Sequence, residues 1–220
     1  MLGILFKHHD RSTHYHLNQC TTKRTVPGIV KQYFISPRSE IFFINALDST
    51  TLDWEYIYQL PYKLTLDTKL REFHWKLTHN ILPTNVLLHK MTPPRVPSSA
   101  CTFCKDEEES ILHLFCNCNH VKVFWNTFTE NLGKRLGLKT PLNPELILLG
   151  SPKLPKLLNV LILVAKRYIY KARCNSKELY FTNFTDFVQN VQKIEFYIPN
   201  RKNKLDIHIK WGKYFQIVGQ

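Results

Sequence analysis

The chain has 220 residues, 44% of them hydrophobic, and a formal net charge of +13 at pH 7. That length suits one large domain or two small ones with a core that needs no staples, and the apolar content excludes a disordered chain. Only 7 glycines argue against a turn-rich all-β fold and against Gly-rich phosphate loops.

No apolar run approaches the ~18 residues of a membrane span. The longest, Leu157 to Ala165, reads as a buried helix. The opening MLGILFKHHD is too short for a secretory apolar region and has no small-residue cleavage site. The expectation is an intracellular chain, nuclear or cytoplasmic, in which crowded cysteines bind metal more often than they pair. Charge is unevenly spread: +5 over residues 1–100, −1 over 101–150 and +9 over 151–220, the last with 13 Lys and Arg against 4 Asp and Glu. A basic C-terminal third suggests a polyanionic partner, RNA or DNA. Nothing points to a membrane or to a small-molecule substrate.

Residues 1–50 are poorly patterned and open to disorder. The four histidines of KHHDRSTHYH fit no metal spacing and read as an exposed polar stretch. From Asp53 the pattern turns helical, with Trp54, Ile57 and Tyr58 at i, i+3 and i+4, and Pro61 is expected to break it. Asp67 then opens an amphipathic helix with Leu70, Phe73, Leu77 and Ile81 on one face, ended by Pro83. Thr84 caps a short helix to about Met91. The proline-rich MTPPRVPSSA follows as a stiff connection.

After residue 118 come a helix striped by Val121, Phe124, Trp125, Phe128 and Leu132, with Gly133 and Gly137 as stops, and a short helix with Asn143 as cap and Pro144 at its first position. Leu154 to Cys174 and Asn183 to Ile198 read as two further helices, the second striped by Phe184, Phe187, Val188, Val191 and Ile194. KLDIHIKWGKYFQIV alternates like a strand but also fits a helix. The fold class is mostly α, a helical domain with a small CCHC zinc-binding knuckle and an irregular N-terminal segment.

The knuckle is CTFCKDEEESILHLFCNC, residues 101–118, which holds four of the 6 cysteines. Zinc takes four soft or borderline ligands in a tetrahedron, and Cys-x2-Cys turns two thiolates toward one ion. Cys101 and Cys104 supply that turn, and His113 lies on the following helical turn. The fourth ligand is Cys118 or Cys116. Four residues between His113 and Cys118 fall within the usual range for a second pair, so spacing favours Cys118. Glu108 and Glu109 are expected in the first turn of the helix carrying His113, where the helix dipole favours acids. A closed four-ligand site leaves no open position for water, which speaks against a carboxylate active centre here.

With these residues in view, Asp53 to about Trp125 closely resembles the zinc-binding domain that follows the polymerase domain in LINE-type (non-LTR) retrotransposon reverse transcriptases. The resemblance is carried by FHWKLTHNILPTN (Phe73 to Asn85), CTFC, ESILHLFCNC and Trp125. It puts Cys101, Cys104, His113 and Cys118 on that family's four ligand positions and Glu109 on its acidic position, with Cys116 an extra. ELILLG, LLNVLILVAKRYIYKAR and IEFYIPNRKNKLDIHIKW resemble the tail of some of these proteins in order, while the first fifty residues fall outside the likeness.

The resemblance implies Zn2+ as cofactor and a module that holds template RNA or target DNA near a polymerase. The chain has no Asp-Asp dipeptide, so the paired-aspartate polymerase motif is missing and no catalysis is expected. The expected organisation is 1–50 irregular, 51–136 zinc-binding, and 137–220 basic and helical. Lys166, Arg167, Lys171, Arg173, Arg201, Lys202 and Lys204 are the candidate phosphate contacts, with Tyr168 and Tyr170 as candidate stacking platforms. The competing readings are a zinc scaffold that docks another protein around Trp75 and Trp125, and a decayed fragment without selected function.

Overall fold

Four helices begin where a short polar side chain accepts a hydrogen bond from the first turn, satisfying an amide that the helix itself leaves open. Asp53 accepts from Tyr56 N–H (2.9 Å) to start α1, Trp54–Leu64. Asp67 accepts from Lys69 N–H (2.8 Å) to start α2, Thr68–Thr78. Thr84 caps α3, Asn85–Met91, through Leu87 N–H. Asn143 caps α5, Pro144–Leu149, through Leu146 N–H at 2.8 Å. Between them lie the knuckle and α4, Asn119–Phe128. The chain closes with α6 (Lys156–Cys174), α7 (Phe181–Tyr197) and α8 (Lys204–Val218). The computed structural model describes residues 42–45, 47, 52–138, 141–198 and 204–218, the last helix with its side chains over 207–217. Among these residues the structure is helical, with an isolated antiparallel bridge from Ala100 to Glu108.

The central element is α6. It is buried on nearly every side, as a helix that is apolar around most of its circumference must be. α1, α2, α5, α7 and α8 all pack against it. Aromatic rings fill the joints: Phe73 of α2 lies 5.8 Å from Tyr170 of α6, and Phe124 of α4 stands edge-on to Phe184 of α7 at 5.5 Å. One apolar cluster runs from Phe43 to Tyr214. It includes buried residues on both sides of positions 136 and 137, from Leu132 to Ile147. Of the segment expected to be irregular, residues 42–45 and 47 are helical and Phe43 is fully buried; the rest of residues 1–50 lies outside the described residues.

Several elements depart from the sequence pattern for identifiable reasons. Pro61 does not end α1. It removes one N–H, the partner of the Ile57 carbonyl, while Leu60, Pro61 and Leu64 are all buried and hold the helix in place. α2 stops at Thr78, whose hydroxyl donates back to the His74 carbonyl (3.0 Å). Asn80 then takes a left-handed φ of 53°, which leaves Ile81 exposed. The buried face of α7 contains Gln192 and Glu195 and leaves Ile194 exposed, because Glu195 is bonded to α8. The ambiguous last segment is the helix α8, with Ile207, Trp211 and Tyr214 inward. Gly150 closes α5 at φ 76°, where a β-carbon would strike Leu60 and Asn159.

Candidate metal centre

The knuckle is built by backbone bonds first. Cys101 N–H donates to the Glu107 carbonyl (2.7 Å), Glu109 N–H to the Ser99 carbonyl (2.8 Å) and Lys105 N–H to the Cys101 carbonyl (3.0 Å). Lys105 turns the chain with a positive φ of 67°. Ser110, not Glu108 or Glu109, caps the helical turn that follows: its hydroxyl accepts from His113 N–H at 3.0 Å. That turn widens to a π-helical one over His113–Asn117, with Cys118 N–H donating to the His113 carbonyl at 2.9 Å. Such one-turn widenings concentrate at functional sites. Here the wider turn accompanies the meeting of two residues five apart, His113 and Cys118.

The donor atoms of Cys101, Cys104, His113 and Cys118 all lie within 4.8 Å of one another. Cys101 Sγ is 3.9 Å from Cys118 Sγ, and Cys104 Sγ is 3.4 Å from His113 Nε2. A tetrahedron with Zn–S of ~2.3 Å and Zn–N of ~2.0 Å has edges of roughly 3.8 Å between sulfurs and 3.5 Å between sulfur and nitrogen. The four donors therefore fit a tetrahedral ion. Cys116 stays outside the set: it is buried in the core, where burial pushes its thiol up to about 12 and the nearby Lys166 charge opposes the rise.

Two features prepare the donors. His113 Nδ1 meets Glu107 Oε2 at 3.2 Å, which turns Nε2 toward the cluster in the way outer carboxylates orient ligating histidines. Cys118 sits at the start of α4. A hydrogen bond from the Cys101 thiol lowers Cys118 to about 7, burial opposes this, and the Val121 and His120 amides add to the lowering. Cys101 is pushed up, first by donating to Cys118 and then by burial.

The knuckle is held to the core by a buried carboxylate. Glu109 is fully buried, and its two oxygens accept from Thr102 N–H (2.9 Å), Asn85 N–H (2.9 Å) and the Arg173 guanidinium (2.7 Å). Arg173 also donates to Asn85 Oδ1 (2.5 Å), and Asn85 Nδ2 donates to the Ala100 carbonyl (2.7 Å). The network joins the start of α3, the end of α6 and the residues flanking Cys101. Trp125 is buried too, its indole N–H donating to the Phe115 carbonyl at 2.8 Å, so it serves packing rather than a docking face.

Residues 40–125 match the family model described as zinc-binding in reverse transcriptase. No curated protein and no solved structure matches the chain. The matched span contains Asn85, the Cys101–Cys104 turn, Glu109, His113, Cys118 and Trp125, while Arg173 lies beyond it.

The candidate phosphate contacts are redistributed by the fold. Lys166 and Arg173 are in the interior, at 2% and 8% exposure. Lys166 Nζ donates to the Leu148 carbonyl at 2.6 Å, and Arg173 is taken up by Glu109, so neither cation faces solvent. Tyr168 and Tyr170 are likewise buried, their hydroxyls donating to the Tyr180 and Pro83 carbonyls at 3.0 Å. Lys171 is exposed and Arg167 half-buried, over the rings of Phe187 and Phe73. Arg201 and Lys202 lie outside the described residues, as does the Lys204 side chain. Sequence reasoning missed a second buried carboxylate, Glu195, which accepts from Thr65 (2.5 Å), Leu66 N–H (3.1 Å), Lys210 and Trp211 (2.7 Å) and seats α8 on the α1–α2 connection. A lone Glu in an amphipathic helix carries no signal of that role. Among the described residues no helix is long and apolar enough to cross a membrane.

Proposed function

We propose that this chain is a zinc-stabilised nucleic-acid-binding module, the non-catalytic C-terminal part of a non-LTR retrotransposon reverse transcriptase. The observation that carries the reading is the convergence of four Cys and His donors inside the span that matches a reverse-transcriptase zinc-binding family. Four protein ligands make a closed, structural site, in which the ion contributes folding energy and leaves no position for a substrate. Cys101, Cys104, His113 and Cys118 hold the ion. Glu107 orients His113, and the Glu109–Arg173 pair keeps the knuckle docked. The net charge of +13 favours a phosphodiester partner, and the absence of an Asp-Asp pair agrees with a module that positions nucleic acid rather than copies it.

Native mass spectrometry of the purified protein tests the metal. One zinc is expected in the wild type and in Cys116→Ser, and none in Cys118→Ser. A folded wild type without zinc would overturn the metal-based reading. Fluorescence anisotropy with a labelled oligonucleotide tests the partner: affinity should fall steeply between about 50 and 200 mM salt, and salt-indifferent binding would contradict it.

A further inference from the structure

With Lys166 and Arg173 buried, the basic charge of the C-terminal third must act elsewhere. A groove of about 540 Å³ opens between the start of α6, the turn after α4 and one side of α8. Four cations line it, Arg135, Lys156, Lys210 and Lys213, and no carboxylate does. Beside it lies a second cavity of about 200 Å³ that shares Lys156 and Lys210 in its lining and adds Lys63 and Tyr62, again with no acidic lining. Side by side, the two cavities form a basic track along the surface. Its volume falls in the range of ligand clefts.

Two of the four cations are held in place, and Lys156 and Lys213 are exposed beside them. Arg135 donates to the Ile217 carbonyl at 2.7 Å, which lays the guanidinium along α8. Lys210 is fixed on the floor by Glu195 and the Leu64 carbonyl. Burial holds Lys210 below its ordinary value against the pull of Glu195, and the Lys156 charge adds to the lowering. The groove also faces the N-terminus of α6, where Pro155 offers no capping side chain, and the unpaired first-turn amides and helix dipole add positive potential. At the far end, Tyr62 is 63% exposed, an aromatic ring of the kind on which bases stack.

We propose that this track holds a single-stranded nucleic acid, with Arg135, Lys156 and Lys213 contacting successive phosphates and Tyr62 stacking on a base. The inference rests on the nucleic-acid reading above and assigns its surface. A row of cations ending at an exposed ring fits a phosphodiester strand better than an acidic peptide, which offers carboxylates but no bases. Lys210 anchors Glu195 and is not counted among the free contacts.

The test uses the zinc-loaded full chain and a labelled 20-nucleotide single strand, read by anisotropy across a salt series. The R135E/K156E/K213E variant should bind at least tenfold more weakly at about 100 mM salt, with a log–log salt slope smaller by about 2, since each single-strand phosphate contact contributes about 0.7. Tyr62→Ala should weaken binding several-fold and leave the slope unchanged. R167E/K171E, further along α6 and outside the lining of both cavities, is the control and should lose less. Wild-type acetylation footprinting needs no variant: Lys156 and Lys213 should be protected by the strand. Wild-type binding with no protection of these lysines, and with the triple variant unaffected, overturns the assignment and leaves the nucleic-acid reading standing. A wild type that binds no strand overturns both. Equal capture of a poly-glutamate peptide, independent of Tyr62, would also sink the assignment.

Discussion

Lys166 shows how little a residue's type says about its role when burial intervenes. In the sequence it opens a basic run at the end of an apolar helix and reads as a phosphate contact. In the structure it lies deep in the core beside Cys116 and His74, its ammonium reaching the last turn of α5. Burial lowers it to about 7, with the Cys116 sulfur opposing the fall. Its unfolded value is about 10.4. Above pH 7 the folded state therefore sheds the proton that the unfolded chain still binds, so this residue makes stability rise with pH between about 7 and 10.4. Below about 7 both states are charged and the burial penalty is fully felt. Urea unfolding of the zinc-loaded protein at pH 7, 8 and 9 should show wild type gaining on Lys166→Met by up to about 1.4 kcal/mol per pH unit. A difference that stays flat with pH would mean that Lys166 is charged and solvated.

At the scale of elements, the pair Glu109–Arg173 decides how the knuckle is attached. A buried ion pair is costly to assemble but far costlier to halve, because the remaining charge has no solvent. Arg173→Met is expected to destabilise the protein by about 3–5 kcal/mol, whereas Arg173→Met with Glu109→Gln should lose less than the sum of the single losses, a coupling above about 1 kcal/mol in chemical unfolding. Strict additivity would show that the two side chains act independently. Local signals of this kind were readable where the chemistry is local: the caps Asp67, Thr84 and Asn143, the apolar stripe of α4, and the Cys101–Cys104 turn with its partners His113 and Cys118. What sequence could not give was set by distant chain. Nothing near Glu195 announces Lys210 and Trp211, and nothing near Arg173 announces Glu109, 64 residues earlier. Pro61 misled because a proline stops a helix only when burial of the turns beyond it does not hold them.

Across the whole molecule, the metal site and the C-terminal helices are parts of one core rather than neighbours. Cys101 is tied through the adjacent Thr102 amide to Glu109, Glu109 to Arg173, and Arg173 to the end of the helix on which five others pack. Ion binding, which supplies folding energy where a site forms only on folding, should therefore be felt well beyond residues 101–118. When the metal is stripped with a chelator, hydrogen exchange should quicken in the knuckle, in α3, and in the last turn of α6, because Thr102, Asn85 and Arg173 all lose their fixed partner together. The α7–α8 pair is held separately by Glu195 and should keep more of its protection. Quickening confined to the knuckle would mean that it is an appendage whose metal stabilises only itself, and Glu109 would then be a buried neighbour of Arg173 rather than the link between ion and core. Loss of protection through α3 and the end of α6 in step with the knuckle would show that the ion stabilises the body of the protein through that one carboxylate.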